Sequence, residues 1–146
     1  MHPIEAAIEP ARGPSQVAAL ERRLADLERL TMVEPFRFVG TSGQPSFANG
    51  WTNYDLRRVG FYRHAGRVHL TGVIRGGLIN VPAFVLPTGY RPDTQTSPYG
   101  FVYVVDADSG EGRVHVTPNG EVIPLPYGTS NPVTHMFLSH VSFRHL

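Results

Sequence analysis

The chain has 146 residues and no cysteine, with a hydrophobic fraction of 41% and a formal net charge of +1. This length suits one β domain with a short appendage, and the missing cysteine excludes disulfides and thiolate metal sites. Because charges of both signs are interspersed, we expect no nucleic-acid binding. No apolar run approaches the ~20 residues of a membrane span and residues 1–12 lack secretory-signal features, so neither membrane insertion nor export by that route is expected.

Residues 14–34 are predicted to form a helix. Apolar positions recur there at alternating spacings of three and four, the a/d pattern of a left-handed coiled coil. Pro14 suits the first helical turn, and Pro35 ends the helix. The charged flanks favour an oligomeric stalk over one amphipathic helix packed on its own β domain, which stays as the alternative. The seam consists of Val17, Leu20, Leu24, Leu27 and Thr31.

After Pro35 the helical period is lost, and glycine and proline separate short runs rich in valine, phenylalanine, tyrosine and threonine. Such short strands with turn signals every 8 to 12 residues or so are typical of an all-β sandwich or barrel. We therefore predict a mostly β head over residues 35–146. Its predicted strands are 36–39, 57–63, 67–75, 82–86, 100–106, 112–117, 120–124 and 134–144.

In the predicted strand 67–75, alternation places one set of side chains on a common face. That face is apolar, so it is expected to lie in the core. It carries Val68, Leu70, Gly72 and Ile74.

The last predicted strand, 134–144, has apolar residues on both faces. Phe137, Val141 and Phe143 share the face expected in the core, while Met136 and Leu138 lie opposite. A strand buried in its own domain on one side and in a subunit interface on the other has this pattern. We therefore predict that Met136 and Leu138 contribute to oligomerisation.

The acidic segment 106–111 begins like a calcium-binding loop, but the spacing fails. Gly110 occupies the fifth position, and Thr117 stands where a bidentate glutamate would be required. A polar hairpin tip is the favoured interpretation.

Nothing in the sequence favours a metal centre or catalysis. The seven histidines include no H-x-H or H-x-x-x-H pair. His135, His140 and His145 lie five residues apart and alternate faces on a strand; one histidine per subunit around an axis is the alternative. Without a G-x-S-x-G elbow, a cysteine nucleophile or an H-E-x-x-H motif, we expect no enzyme, no metal and no cofactor.

The order of elements from residue 50 to residue 146 resembles the C-terminal receptor-binding modules of bacteriophage tail fibres and related virion appendages. Trp51 is followed by two period-2 runs in 59–72, by Leu-Pro-Thr-Gly-Tyr-Arg-Pro in 86–92, by a hairpin in 112–122 and by a closing strand. The resemblance implies a homotrimer with a jelly-roll-like antiparallel β-sandwich head. It also implies a structural role for Trp51.

Aromatic residues near glycine, proline and asparagine suggest a binding role, because aromatic rings with arginine or aspartate nearby dock sugars and peptides. Arg91, in the family-like turn, is expected to bond loop carbonyls and is also a ligand candidate. The loops around Tyr99 and Tyr127 depart most from the resembling pattern, so recognition is expected there first. The predicted ligand-binding residues are Tyr99, Tyr127, Tyr54 and Arg91.

These observations predict a homotrimeric protein of the phage virion, a tail fibre or receptor-binding protein. Residues 1–13 would attach to tail or capsid proteins, the 14–34 helix would form a coiled coil, and the head would bind a host surface glycan or protein. One alternative is a capsid decoration or head-fibre protein with a stabilising or display role. A second alternative is a sugar-binding module of a cellular injection apparatus.

Overall fold

A computed structural model describes residues 13–31, 34–108, 110–125 and 135–145, and it divides the chain into two compact units, 1–32 and 33–146. Tyr127 and the attachment segment 1–12 lie outside the described residues. In the first unit, helix α1 spans Pro14–Thr31. Proline is tolerated at this first position because its missing N–H would be unpaired in any case. The short helix predicted from the heptad pattern is therefore confirmed.

The apolar seam of α1 is open to solvent in the single chain. Val17 and Leu20 are 41% and 44% exposed, and Leu24 and Leu27 are 57% and 59% exposed. The coiled coil itself stays a prediction, because a seam of this kind is completed by a second helix.

The described residues of the second unit form two antiparallel sheets, which confirms the mostly β prediction; the jelly-roll arrangement stays a prediction. One sheet has the order β1-β3-β4-β11, and the other has the order β2-β5-β10-β7-β8-β9-β6. The strands are β1 Arg37–Phe38, β2 Thr52–Asn53, β3 Gly60–His64, β4 Arg67–Thr71, β5 Val73–Arg75, β6 Phe84–Val85, β7 Phe101–Ala107, β8 Gly110–Val116, β9 Glu121–Leu125, β10 His135–Phe137 and β11 Ser142–Arg144.

A hydrophobic core cluster includes residues of both sheets. Val68 and Leu70 on β4 and Ile74 on β5 are buried in it, as the alternation pattern predicts. Phe61 and Phe143 are among its largest fully buried side chains. Burying such rings contributes most of the favourable free energy of folding a β unit.

The predicted strand 67–75 is interrupted at Gly72, where the chain passes from one sheet to the other. Gly72 has φ +91°, and a Cβ there would lie 2.2 Å from the carbonyl oxygen of Arg58. Both the left-handed conformation and the close approach require glycine. The crossing therefore holds the Arg58 backbone against the start of β5.

The last predicted strand, 134–144, is also two strands. β10 pairs with β5 and β7 in the larger sheet, whereas β11 pairs with β4 in the smaller one. The turn between them shifts the alternation by one residue, so Met136 and Leu138 lie in the same core as Val141 and Phe143. Phe137, which was predicted to lie in the core, is only half-buried and lines a groove instead. Met136 and Leu138 are 0% exposed within a single chain. The prediction that they form a subunit interface is therefore wrong, because the chain's own core already covers them.

The described residues of the acidic segment 106–111 lie at the end of the β7–β8 hairpin, as predicted. β7 and β8 pair in register down to Ala107 and Gly110. Among the described residues, no group of three or more histidine, aspartate or glutamate side chains is placed to hold a metal ion.

Candidate functional site

A groove of about 300 Å³ opens where the chain crosses between the sheets. Its wall comes from the edge strand β1, from the segment before β3, from the Gly72 crossing and from the segment after β10. We name it the arginine groove. It is lined by Phe36, Phe38, Arg57, Arg58, Thr71, Gly72, Val73, Phe137 and Ser139.

Two phenylalanines form a ridge along one side of the groove. Phe38 on β1 lies opposite Gly60 on β3, and a Cβ at Gly60 would meet the Phe38 ring at 3.1 Å. The missing side chain therefore leaves room for the ring. Phe36 packs edge-on against Tyr62, with ring centroids 4.8 Å apart, and is 52% exposed. The ridge consequently presents aromatic surface to solvent.

Arg58 contacts this ridge through its guanidinium group. Its guanidinium carbon is 4.0 Å from the centroid of the Phe38 ring, a cation–π contact worth roughly 0.5–1 kcal/mol at an exposed position. Within the described part of the chain, the Arg58 side chain makes no hydrogen bond and no ion pair. A guanidinium has five N–H donors, so Arg58 offers these donors at the groove.

Arg57 is held differently, although it is the next residue. Its Nη2 donates to Oδ2 of Asp55 at 2.8 Å, and its Nε donates to Oδ1 at 3.2 Å. These hydrogen bonds from Arg57 lower the pKa of the Asp55 carboxyl below its usual value. The Arg57 guanidinium also lies over the rings of Tyr54 and Phe137, at 5.4 and 5.3 Å. Its charge is therefore countered locally, unlike that of Arg58.

The predicted binding residues lie in different places. Tyr54 does not line the arginine groove, but its ring contacts the groove residue Arg57. The Tyr54 ring also stacks on His135, with centroids 4.7 Å apart. Tyr99 is 83% exposed on a loop that does not line the groove. Arg91 is half-buried, and its Nε donates to the carbonyl oxygen of Leu86 at 2.9 Å, which is the loop contact expected from the sequence.

The groove residues were missed by the sequence interpretation. That interpretation considered tyrosine and tryptophan residues in loops. It did not consider Phe36 and Phe38, which lie at an edge strand. A usable signal was present in the doublet Arg57-Arg58, which follows Tyr54 by three and four residues. Arginine binds carboxylates and phosphates through paired N–H groups and stacks on aromatic rings, so an arginine doublet close to a tyrosine indicates a candidate anion site.

A second cluster joins the start of the unit to the Tyr90 turn. Oε1 of Glu34 accepts hydrogen bonds from Nε and Nη2 of Arg63 at 3.0 and 2.6 Å, and Oε2 accepts one from the Tyr90 hydroxyl at 2.8 Å. Arg63 also donates to the carbonyl oxygen of Gly89 at 3.2 Å. Burial opposes ionisation of Glu34, but the hydrogen bonds from Arg63 and Tyr90 outweigh it, so the pKa of Glu34 is lowered. Both carboxylate oxygens of Glu34 and all three nitrogens of Arg63 are engaged inside the protein, so this cluster is structural.

The outer face of β7, β8 and β9 carries an exposed aliphatic patch. Val102 and Val104 are 55% and 61% exposed, and Val104 pairs across the sheet with Arg113, which pairs in turn with Leu125. Exposed aliphatic groups on a flat sheet face are common at protein interfaces. This patch is a candidate contact surface of the head.

Comparison with solved structures shows that the fold of the chain is similar to that of a phage receptor-binding protein. The crystal structure of the receptor binding protein (gp15) of Listeria phage PSA matches it with a TM-score of 0.56. The match covers 99% of this chain and 88% of that chain, at 14% sequence identity. No protein-family model and no curated protein matches the sequence. No helix of the described residues has both the length and the apolar character needed to cross a membrane.

Proposed function

We propose that this protein is a homotrimeric receptor-binding protein of a bacteriophage virion, which attaches to a glycan on the host surface through its β unit. The observation that supports this function is the likeness to a phage receptor-binding protein over nearly the whole chain. The protein binds rather than catalyses and uses no cofactor. Residues 1–13 attach it to tail or capsid proteins.

Trimer formation draws on two surfaces. The first is the open seam of α1, whose a/d pattern is completed by copies of the same helix. Two heptads rarely hold helices together alone, so a second contact in the head is required. We assign this contact to the exposed patch around Val102 and Val104, because Met136 and Leu138, which the sequence indicated, are buried in the core.

Assembly into trimers serves attachment directly. Several weak contacts on one particle act together, because after the first contact the others are effectively intramolecular. A modest affinity of each head for a glycan is therefore sufficient.

Sedimentation of the full chain tests assembly. We expect a trimer at micromolar concentration, and Leu24→Asp should shift it toward monomer, because three carboxylates would meet at the seam. Glu21→Asp, on the charged flank of the same helix, is the matched control and should leave the trimer intact. A monomeric wild-type protein would show that the proposed coiled-coil stalk does not form.

Attachment is tested with fluorescently labelled full-length protein on a panel of candidate host cells. We expect binding to some strains and not to others, and competition by isolated envelope glycans. Purified empty capsids provide the comparison. A protein that binds capsids but no cell surface and no glycan would be a decoration protein instead.

A further inference from the structure

We propose that the arginine groove binds an acidic sugar, a saccharide residue that carries a carboxylate or a phosphate, with Arg58 as the anion-binding group. This proposal rests on the function proposed above and specifies the chemistry of the receptor. It also moves recognition from the loops around Tyr99 and Tyr127 to the crossing between the two sheets.

The contrast between the two adjacent arginines is the first argument. Arg57 has a carboxylate partner in Asp55, whereas the Arg58 guanidinium has only the Phe38 ring among the described residues. The contact with the ring leaves the N–H edge of the guanidinium without a hydrogen-bond partner among the described residues. A carboxylate or phosphate accepts two parallel hydrogen bonds from such an edge.

The Arg58 donors are held in place by a fixed backbone. The carbonyl of Arg57 accepts a hydrogen bond from the amide of Val73 at 3.1 Å, and the amide of Val59 donates to Oδ1 of Asn53 at 2.7 Å. Gly72 packs against the Arg58 carbonyl. With both neighbours anchored, little backbone ordering remains to be done when a ligand binds, and this favours affinity.

The aromatic ridge supplies the apolar contact that a sugar needs. Phe36 and Phe38 stand beside the Arg58 guanidinium, so one ligand can place its ring on the phenylalanines and its anionic group on the arginine. The groove volume of about 300 Å³ lies at the lower end of ligand sites, which suits a single sugar ring.

The ridge also borders a second cavity, of about 360 Å³, which shares Phe36 and Phe38 with the arginine groove. Its other lining residues include Arg37, Thr41, Ser42 and Gln44, which supply hydroxyl, amide and guanidinium groups for sugar hydroxyls. A chain of two or more sugars can therefore span the ridge, with the acidic sugar on the Arg58 side.

The charge of the groove decides which sugars enter. None of its lining residues is acidic, and the nearby Asp55 carboxylate is already held by Arg57. The local field therefore favours an anion over a neutral or cationic sugar.

Calorimetric titration of the full-length protein with three small probes tests this. The probes are methyl glucuronide, glucose 1-phosphate and the neutral methyl glucoside. We expect at least one acidic probe to bind about 10-fold or more tightly than the neutral one, and its affinity to fall with added salt. The two acidic probes distinguish a carboxylate from a phosphate ligand.

Arg58→Gln should reduce the affinity for the acidic probe by about 10-fold or more. Arg75→Gln is the matched control, because Arg75 is an exposed arginine of the same unit that does not line the groove. Phe36→Ala is a second variant, which removes part of the aromatic ridge and leaves the charge of the groove unchanged. Circular dichroism and the melting temperature establish that each variant is folded.

The outcomes separate this proposal from the proposed function. If no probe binds, if the neutral sugar binds as well as the acidic ones, or if folded Arg58→Gln binds and attaches to cells like wild type, the groove assignment is wrong while receptor binding stands. If an acidic probe binds and depends on Arg58 but wild-type protein attaches to no cell, the groove is a sugar site and the receptor function is wrong.

Discussion

Aromatic residues occupy two kinds of position in the β unit, and the difference distinguishes stability from recognition. Trp51 and Tyr90 are 3% and 5% exposed, and each has its polar atom bonded inside the protein. Phe36 is 52% exposed, and the ridge it shares with Phe38 is contacted by a guanidinium that has donors left over. A buried ring whose polar atom is already hydrogen-bonded stabilises the fold. An exposed ring beside unused hydrogen-bond donors is available to a ligand.

The largest effect is expected at Trp51. Its Nε1 donates to the carbonyl oxygen of Leu78 at 2.7 Å, and a Cβ on Gly77 would come within 2.2 Å of its ring. Trp51→Ala should lower the free energy of unfolding by about 3–5 kcal/mol, because it leaves a cavity and an unpaired carbonyl. Chemical denaturation measures this change.

Gly77→Ala is the partner experiment at the same site. It leaves the tryptophan in the sequence but forces its ring to move, so it should also destabilise the protein. If both variants unfold at the wild-type denaturant concentration, Trp51 is not a core anchor and belongs with the exposed rings.

An intermediate effect is expected in the Glu34 cluster. Because the pKa of Glu34 is lower in the folded protein than in the unfolded chain, the ionised carboxylate stabilises the fold. That contribution is complete above the usual pKa of 4.5 and is lost as the pH falls through the lower folded value. Glu34→Gln should therefore cost about 1–2 kcal/mol at pH 7, after allowance for partial exposure, and less at pH 3.

Melting curves of wild type and Glu34→Gln across this pH range measure the difference. Glu111→Gln, at an exposed position of β8 in the same unit, controls for the loss of a carboxylate in general. A Glu34→Gln deficit that stays constant from pH 7 to pH 3 would show that the hydrogen bonds to Arg63 and Tyr90 do not depend on charge.

The sequence predicted the helix, the mostly β unit and much of the core, since these follow from local periodicity. Val68, Leu70 and Ile74 are buried as the alternation indicates. The alternation predicted the wrong faces where its phase changes within one apolar run. At the turn between β10 and β11 a change of sheet inverts the facing of the side chains, so the buried Met136 was assigned to an outer face.

The candidate site was harder to predict, because its residues meet only through the pairing of β1 with β3 and the crossing between the sheets at Gly72. Phe38 and Arg58 are twenty positions apart, and no local pattern joins them. What brings them together is the pairing of β1 with β3, which sets Phe38 opposite Gly60, and the bend at Gly72 then packs against the Arg58 backbone. Tyr54 was predicted because it stands in a loop, and the structure adds the neighbours that link it to the groove.

A small effect on stability and a large one on attachment is expected for Phe36→Ala. The ring is half exposed, so its loss should cost no more than about 1 kcal/mol, mainly the edge-on contact with Tyr62. Labelled protein should nevertheless attach to host cells far more weakly. If a folded Phe36→Ala variant attaches to cells as strongly as wild type, the exposed ring has no role in recognition.

The smallest effect on stability is expected at Tyr99. Its side chain is 83% exposed, and the contact to His115 involves only the Tyr99 carbonyl, so Tyr99→Ala should leave the free energy of unfolding within about 0.5 kcal/mol of wild type. Attachment to cells should weaken, but less than in Phe36→Ala, because a single exposed ring offers a glycan one weak contact. Both variants are compared in the same cell-binding assay. If Tyr99→Ala abolishes attachment and Phe36→Ala does not, recognition lies in the loop that the sequence first indicated, and the exposed ridge beside Arg58 is not the receptor site.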